Sequence, residues 1–418
     1  MGQDRPTVGP VSHPTLLLIA VVSRIGSGIA ATVSALYVTQ VAGLSLRSVG
    51  LTLTAATAVA VTASIWLGHL ADRLGAREMF AAMFGLQALA TAGLVIVRDV
   101  PGYALVVLVL AVADLGYRSS QGAVIHAVVA TELRLPVRAQ VRVAANIGFA
   151  VGAGLGGVVL AVGRPAAYEI GLLATAGLLL ITGSLVFRLP RVAAVEAGKS
   201  TPWEVLRDRP FVRFMGLNGI LNIHNTMLGV AVPLWIATRT DAPHWVISVL
   251  LIVNAAAVIL LQIRLTRGTD SLTGAARAGR RAGLCLALAC AVLSLTTITP
   301  TGVTIALLLL AAVAHVIGEI LESASGWGAS YALAPPDVVG QYQGAHAMGR
   351  GLGDLIGPVL LTTLAIPLGP AGWLLAALIF GAAGLLTPVA LRTAARTGRG
   401  VVPSGPGTCP AGPPSRRR

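Results

Sequence analysis

Lysine is almost missing from this chain. Of 418 residues only Lys199 carries an ammonium group, and every other basic side chain is an arginine. Charge is scarce altogether: Asp, Glu, Lys and Arg make up 11% of the sequence, where a soluble globular domain carries roughly 25%. So few charges exclude a water-soluble surface for a protein of this length. There are three cysteines. Cys285 and Cys290 share one apolar stretch and Cys409 stands near the C-terminus, so no disulfide framework is implied. No nucleophile elbow, catalytic triad or His/Cys cluster with metal-ligand spacing can be read, so neither enzymatic activity, a metal nor a cofactor is expected. Gly198-Lys199-Ser200 imitates the end of a phosphate loop, but the glycine such a loop needs is Ala193. Without an ATPase motif, any pumping must draw on an ion gradient or the solute's own gradient.

What the chain has is hydrocarbon. Hydrophobic residues make up 55% and the mean hydropathy is +0.82. A membrane-spanning helix needs about 20 apolar residues. Twelve such runs lie near 15–39, 47–69, 78–97, 101–129, 140–162, 166–187, 212–238, 244–264, 279–298, 302–331, 339–366 and 371–391. The fold class is therefore all-α: a polytopic membrane protein with twelve transmembrane helices. The first run is too long for a signal-peptide core and reads as a spanning helix. A loop over 188–211 separates a six-helix half (15–187) from a second (212–391). Residues 1–14 form a short leading segment, and 392–418 a basic tail of Gly, Pro, Ser and Arg expected to be disordered.

The net charge of +14 does not imply nucleic acid. The arginines sit in loops and the tail, with no aromatic interleaving and no soluble domain to carry a binding face. They fix orientation instead. With both ends cytoplasmic, the outer segments hold only Arg47, Arg98, Arg164 and Arg239, and almost all other basic residues fall inside. The expected location is the inner (cytoplasmic) membrane. The halves also echo each other: Gly148, Gly152 and Gly156 recur 201 residues on, as Gly349, Gly353 and Gly357. Two related halves place a binding site at their interface.

Several polar groups sit where hydrocarbon is expected. Arginine at a helix centre costs about 2.5–3.5 kcal/mol on insertion scales, so each asks for a partner or a wet cavity. Asp114 and Arg118 are one turn apart and can neutralise each other. Arg350 and Asp354 are spaced alike. Glu319 and Glu322 share a face; if close, their repulsion and desolvation favour a proton carrier. Together with Arg24 these form a nearly neutral polar set, suited to proton coupling or a shared cavity. The alternative for Asp114–Arg118 and for Arg350–Asp354 is a structural ion pair. Asn222, His224 and Asn225 are candidates to line a substrate cavity; His224 and His315 can also be read as hydrogen-bonded packing residues.

The most specific signal is Gly68-His69-Leu70-Ala71-Asp72-Arg73-Leu74-Gly75-Ala76-Arg77, read as a charged turn between the second and third runs. Gly68 lets helices approach, Gly75 permits a positive φ, and Asp72 can cap the third helix or pair with a cation. As G-x-x-x-D-R-x-G-x-R it resembles the signature loop of the major facilitator superfamily of transporters, although Glu78 follows Arg77 where that pattern usually has another basic residue. The resemblance implies that Asp72 and Arg73 latch the halves while the cavity faces outward. In the fourth run, Arg118-Ser119-Ser120-Gln121-Gly122 resembles the R-x-x-Q-G motif of proton-coupled antiporters, which implies that Arg118 assists proton transfer. Gly148, Gly152, Gly156 and Gly157 resemble the antiporter fifth-helix motif, with Ala153 in place of its proline, and are expected to pack helices. The function so implied is proton-coupled export of a small drug-like or metabolite molecule by alternating access. The alternatives are uptake by proton symport or facilitated diffusion and, in another class, a non-transporting sensor or scaffold. The expected partners are a small-molecule substrate, protons and the lipid bilayer, with no nucleic acid, and a monomeric state.

Overall fold

The structure, a computed structural model, describes residues 12–191 and 203–396. Most of the leading segment, Lys199 with its phosphate-loop look-alike, and the tail from residue 397 lie outside the described residues. Twelve long helices carry the fold. They are α1 (His13–Val41), α2 (Arg47–Leu74), α3 (Ala76–Ile96), α4 (Val100–Val128), α5 (Thr131–Val162), α6 (Pro165–Val186), α7 (Arg209–Arg239), α8 (Trp245–Leu265), α9 (Leu272–Ser294), α10 (Thr301–Leu333), α11 (Val339–Leu368) and α12 (Pro370–Ala394). No strand occurs among the described residues. Only helices can satisfy every backbone group locally in lipid. Eleven of the twelve are long and apolar enough to cross a bilayer by composition alone. The remaining helix, α9, has Arg277, Arg280 and Arg281 in its first half.

The helices differ from the hydropathy runs at their ends, for a common reason. Hydropathy marks the part in hydrocarbon, while arginine is a good helix former and extends the helix beyond it. So α9 begins seven residues before the expected 279 and stops at Ser294, and α5 begins at Thr131 rather than 140. Arg138 thereby moves from an expected loop into a helix, and Arg142 from the edge of the run to well inside the helix. The charged turn of 68–77 shrinks to one residue. α2 runs through Asp72 and Arg73 to Leu74, and Gly75 alone, at φ 97°, reverses the chain into α3. α3 has no side-chain cap, so Asp72 does not cap it.

The two halves repeat in contact as well as in sequence. In the first, α1 packs on α5 and α6, α2 on α4, and α3 on α4 and α6; in the second, α7 packs on α11 and α12, α8 on α10, and α9 on α10 and α12. The glycine register is carried over too. A Cβ on Gly148, Gly152 or Gly156 would strike Val21, Ile25 or Thr32 of α1. On Gly349, Gly353 or Gly357 it would strike Met215, Gly219 or Thr226 of α7. Each partner lies 194 residues on: 21 to 215, 25 to 219, 32 to 226. Gly157, expected among the packing glycines, faces open space.

Each half has its own aromatic centre. Phe80, Phe84 and Tyr117 meet within 5.2–5.6 Å between ring centres in the first. In the second, Trp235 stands edge-on to Trp373 at 5.7 Å and donates its indole N–H to Thr296 at 2.8 Å. Large apolar side chains such as Leu105, Ile170, Ile252, Leu260 and Leu378 remain on the outside, the face a bilayer covers. α7 is interrupted after Asn222 and carries a π turn over Met227–Ala231, just before Pro233, a residue unable to donate to the helical ladder. Gly152→Val is expected to lower the thermal unfolding midpoint in detergent by the equivalent of about 1–3 kcal/mol of overpacking. Gly154→Val, where a Cβ meets nothing within 4 Å, should leave it unchanged.

Candidate functional site

The halves meet where α2 and α4 pack on α11, and along α5 with α8 and α10. Where α2 ends, the backbones touch: Gly68 and Gly340 leave no room for a Cβ on either, and a Cβ on Gly344 would meet the Ser64 carbonyl at 2.5 Å. Small residues permit this approach. Asp72 uses it. Its carboxylate accepts the backbone N–H of Gly340 at 2.6 Å and of Gln341 at 3.0 Å. Those donors belong to the first turn of α11, which has no cap from its own chain neighbours. An anion at a helix N-terminus is stabilised by the unsatisfied N–H groups and the helix dipole. His69 adds a side-chain hydrogen bond to Gln341 at 3.0 Å. Asp72 thus joins the two halves instead of pairing with a cation. Arg73 is exposed, while Arg77 stays within the first half, donating to the Leu189 carbonyl at 3.1 Å and pairing with Glu78 at 2.7 Å.

Deeper between the halves lies a cavity of about 300 Å³. Arg24 from α1, Arg118 from α4, Arg138 and Arg142 from α5, and Arg350 from α11 all line it. So do Tyr117, Gln121, Asn146, Phe149, Trp327, Gln343 and His346. Arg118 pairs with Asp114 at 2.8 Å, as the spacing predicts. Gln121 donates to the Tyr117 hydroxyl at 3.1 Å and accepts from Arg138 at 3.0 Å, and the Arg138 guanidinium lies 5.2 Å from the centre of the Trp327 ring.

Arg142 reaches across to the second half, donating to Ser323 and pairing with Glu319 on α10. Among the described residues this is the one ion pair between the halves. Asn254 donates to the other Glu319 oxygen at 2.9 Å. Glu322, fully buried, is held by Arg350 at 3.0 Å and by Asn218 at 3.0 Å. The mutual repulsion expected of Glu319 and Glu322 is therefore replaced by two separate pairs, because one side chain turns to α5 and the other to α11. The one-turn pair of Arg350 with Asp354 does not form either: Arg350 is taken by Glu322, and Asp354 accepts from Asn222 at 2.8 Å and Asn225 at 3.2 Å.

Asn222, Asn225 and His224 do not line the cavity. The asparagines serve Asp354, and His224 is buried with Nε2 3.6 Å from Glu322. His224 and His315 are neighbours, edge-on at 5.1 Å, with His315 Nε2 3.0 Å from the His224 carbonyl oxygen. With Glu319 they bring one donor atom each to within 4.8 Å of one another, a ligand-like grouping where no metal-ligating cluster was expected. Spacing could not reveal it, since His224 precedes His315 by 91 residues. Both His224 nitrogens and His315 Nδ1 lack hydrogen-bond partners among the described residues. The two carboxylates and two imidazoles form one buried titratable chain from α11 to α5.

Reading the sequence missed Arg138 and Arg142 as cavity residues. Their signal was the i, i+4, i+8 spacing of Arg134, Arg138 and Arg142, which puts three arginines on one helix face. Trp327, Gln343 and His346 had no signal apart from the fold.

The Major Facilitator Superfamily profile matches residues 16–358. An uncharacterised MFS-type transporter of Escherichia coli K12, YdeE, is 24% identical over 363 residues, covering 84% of this chain and 89% of that one. Among solved structures, a bacterial homologue of the iron transporter ferroportin, in an outward-facing state, superposes with a TM-score of 0.71 at 15% identity, covering 92% of this chain and 99% of the other. The human organic anion transporter MFSD10 superposes with a TM-score of 0.65 at 16% identity, covering 93% and 100%. At such identities these two share the fold. The length of the family match, the twelve-helix fold and the cavity between its halves lead to one assignment: the chain belongs to the Major Facilitator Superfamily and is a multi-pass membrane transporter.

Proposed function

We propose that this transporter couples the movement of a small solute to the movement of protons by alternating access, with export as its working direction. The observation that carries the coupling is the Arg142–Glu319 pair, which bridges α5 and α10 beside the cavity. Breaking a buried ion pair costs about 3–5 kcal/mol when one charge is left bare. Protonating Glu319 removes the carboxylate charge that holds Arg142. Swinging a two-state equilibrium from 1:99 to 99:1 takes about 5.5 kcal/mol, so one such pair is of the size needed to bias the halves. His315 and His224 flank Glu319 and lead to Glu322, which supports a proton path along the second half.

The arginine distribution supports a cytoplasmic α2–α3 turn, and at that turn Asp72 ties the halves. This geometry fits the outward-facing member of the cycle. Export is supported by Arg118 and Gln121, two of the three named positions of the fourth-helix motif, which both line the cavity. Proton symport is the second reading, favoured by Arg142 itself: protonation of Glu319 frees a cavity-lining guanidinium, so proton and solute can bind together.

A pH-sensitive dye trapped in proteoliposomes separates the two. Antiport predicts that a transported compound added outside alkalinises the lumen; acidification would assign symport. Glu319→Gln is expected to abolish the proton signal while solute counterflow persists. An unchanged proton signal in that variant would rule out Glu319 as the coupling group. Asp72→Asn is expected to slow turnover severalfold with unchanged solute affinity, measured as initial rate against concentration; a shift in affinity alone contradicts a latch.

A further inference from the structure

We infer that the cavity selects a small organic anion, with Arg24 and Arg138 as the residues that meet its charged group. The inference rests on the transporter reading above and names its substrate class. Five arginines line the cavity. Three are spoken for: Arg118 by Asp114, Arg142 by Glu319 and Arg350 by Glu322. Arg24 and Arg138 have no acidic partner among the described residues. Arg138 is oriented by two neutral groups, the Gln121 amide oxygen and the Trp327 ring. Arg24 has neither a hydrogen bond nor an ion pair there, although it stands half-buried at the cavity wall.

A guanidinium inside a spanning run, as Arg24 is, is costly unless water or an anion faces it, and Arg138 on the same cavity wall adds a second positive charge with no acidic partner among the described residues. Walls of low dielectric around one sign of charge focus the field and concentrate the opposite sign. Guanidinium matches carboxylate and phosphate oxygens with paired, charge-assisted hydrogen bonds. Both lie in the first half and neither is used by the Glu319 or Glu322 pair, so an oxyanion can bind without dismantling them. The remaining wall shapes the rest of the ligand. Phe149 and Tyr117 offer aromatic faces, and Gln343 and Asn146 offer neutral polar groups. At about 300 Å³ the cavity is at the small end of the roughly 300–1,000 Å³ common for ligand sites. A compact aromatic or apolar acid fits this description; an organic cation would meet a net repulsion.

The test uses the full-length protein purified in detergent, with no gradient, so that failure of proton coupling leaves the binding result untouched. Thermal unfolding is followed with four matched probes: benzoate, phenylphosphonate, the neutral benzamide and the cationic benzylammonium. Stabilisation by benzoate identifies a carboxylate site and by phenylphosphonate a phosphate-like one; either supports the proposal when benzamide and benzylammonium give none. Arg24→Gln and Arg138→Gln are each expected to weaken anion binding about tenfold or more, the loss of one charge-assisted hydrogen bond, with Arg24→Lys in between. Stabilisation by benzylammonium or benzamide equal to that by the anions, no stabilisation by either anion, or unchanged anion affinity in both Gln variants would overturn it. The selectivity of the wild-type protein decides the question even where a variant fails to fold.

Discussion

Charge at bilayer depth is the constraint on which the rest of this structure depends. An ion in hydrocarbon must be matched, wetted or moved, and the chain arranges its few charges accordingly. Arg350 and Glu322 are matched within the second half, Arg118 and Asp114 within the first, and Arg142 and Glu319 between them. The intra-half pairs can travel with their own helices. The cross-half pair would have to break if the halves part. What is left unmatched, Arg24 and Arg138, faces the cavity.

Packing divides the labour in the same way. Within each half, α1–α5 and α7–α11 are locked by backbone-to-backbone contact at Gly152 and Gly353, which resists sliding. Between halves, close backbone approach is concentrated at one end, around Gly68, Gly340 and Gly344. Two rigid bodies joined near one end are the mechanical elements that rocking requires.

Much of this was legible in the sequence. Run lengths and arginine placement indicated twelve helices in two halves, and the glycine offset anticipated a repeat that the α1 and α7 contact register supports. Asp114–Arg118 was readable because its partners are one turn apart. The failures share a cause. Arg350 pairs with Glu322 and not with Asp354 one turn away, and Asp354 is served by Asn222 and Asn225, because tertiary partners replace local ones. Arg138 fell outside the fifth run because hydropathy reports where lipid is, not where helix ends. The His224–His315–Glu319 group needs α7 and α10 side by side, and no one-dimensional pattern encodes that.

The hydrogen bonds from Gly340 and Gln341 to Asp72 have one more consequence. Because α11 borrows its cap from the opposite half, parting the halves strips its first turn of an anion and uncovers buried peptide groups on both sides. Water must enter to replace those bonds. Opening at this end is therefore a hydration reaction, and its equilibrium responds to the activity of water. Solutes excluded from protein surfaces, such as sucrose, favour burial and so hold this end of the transporter shut.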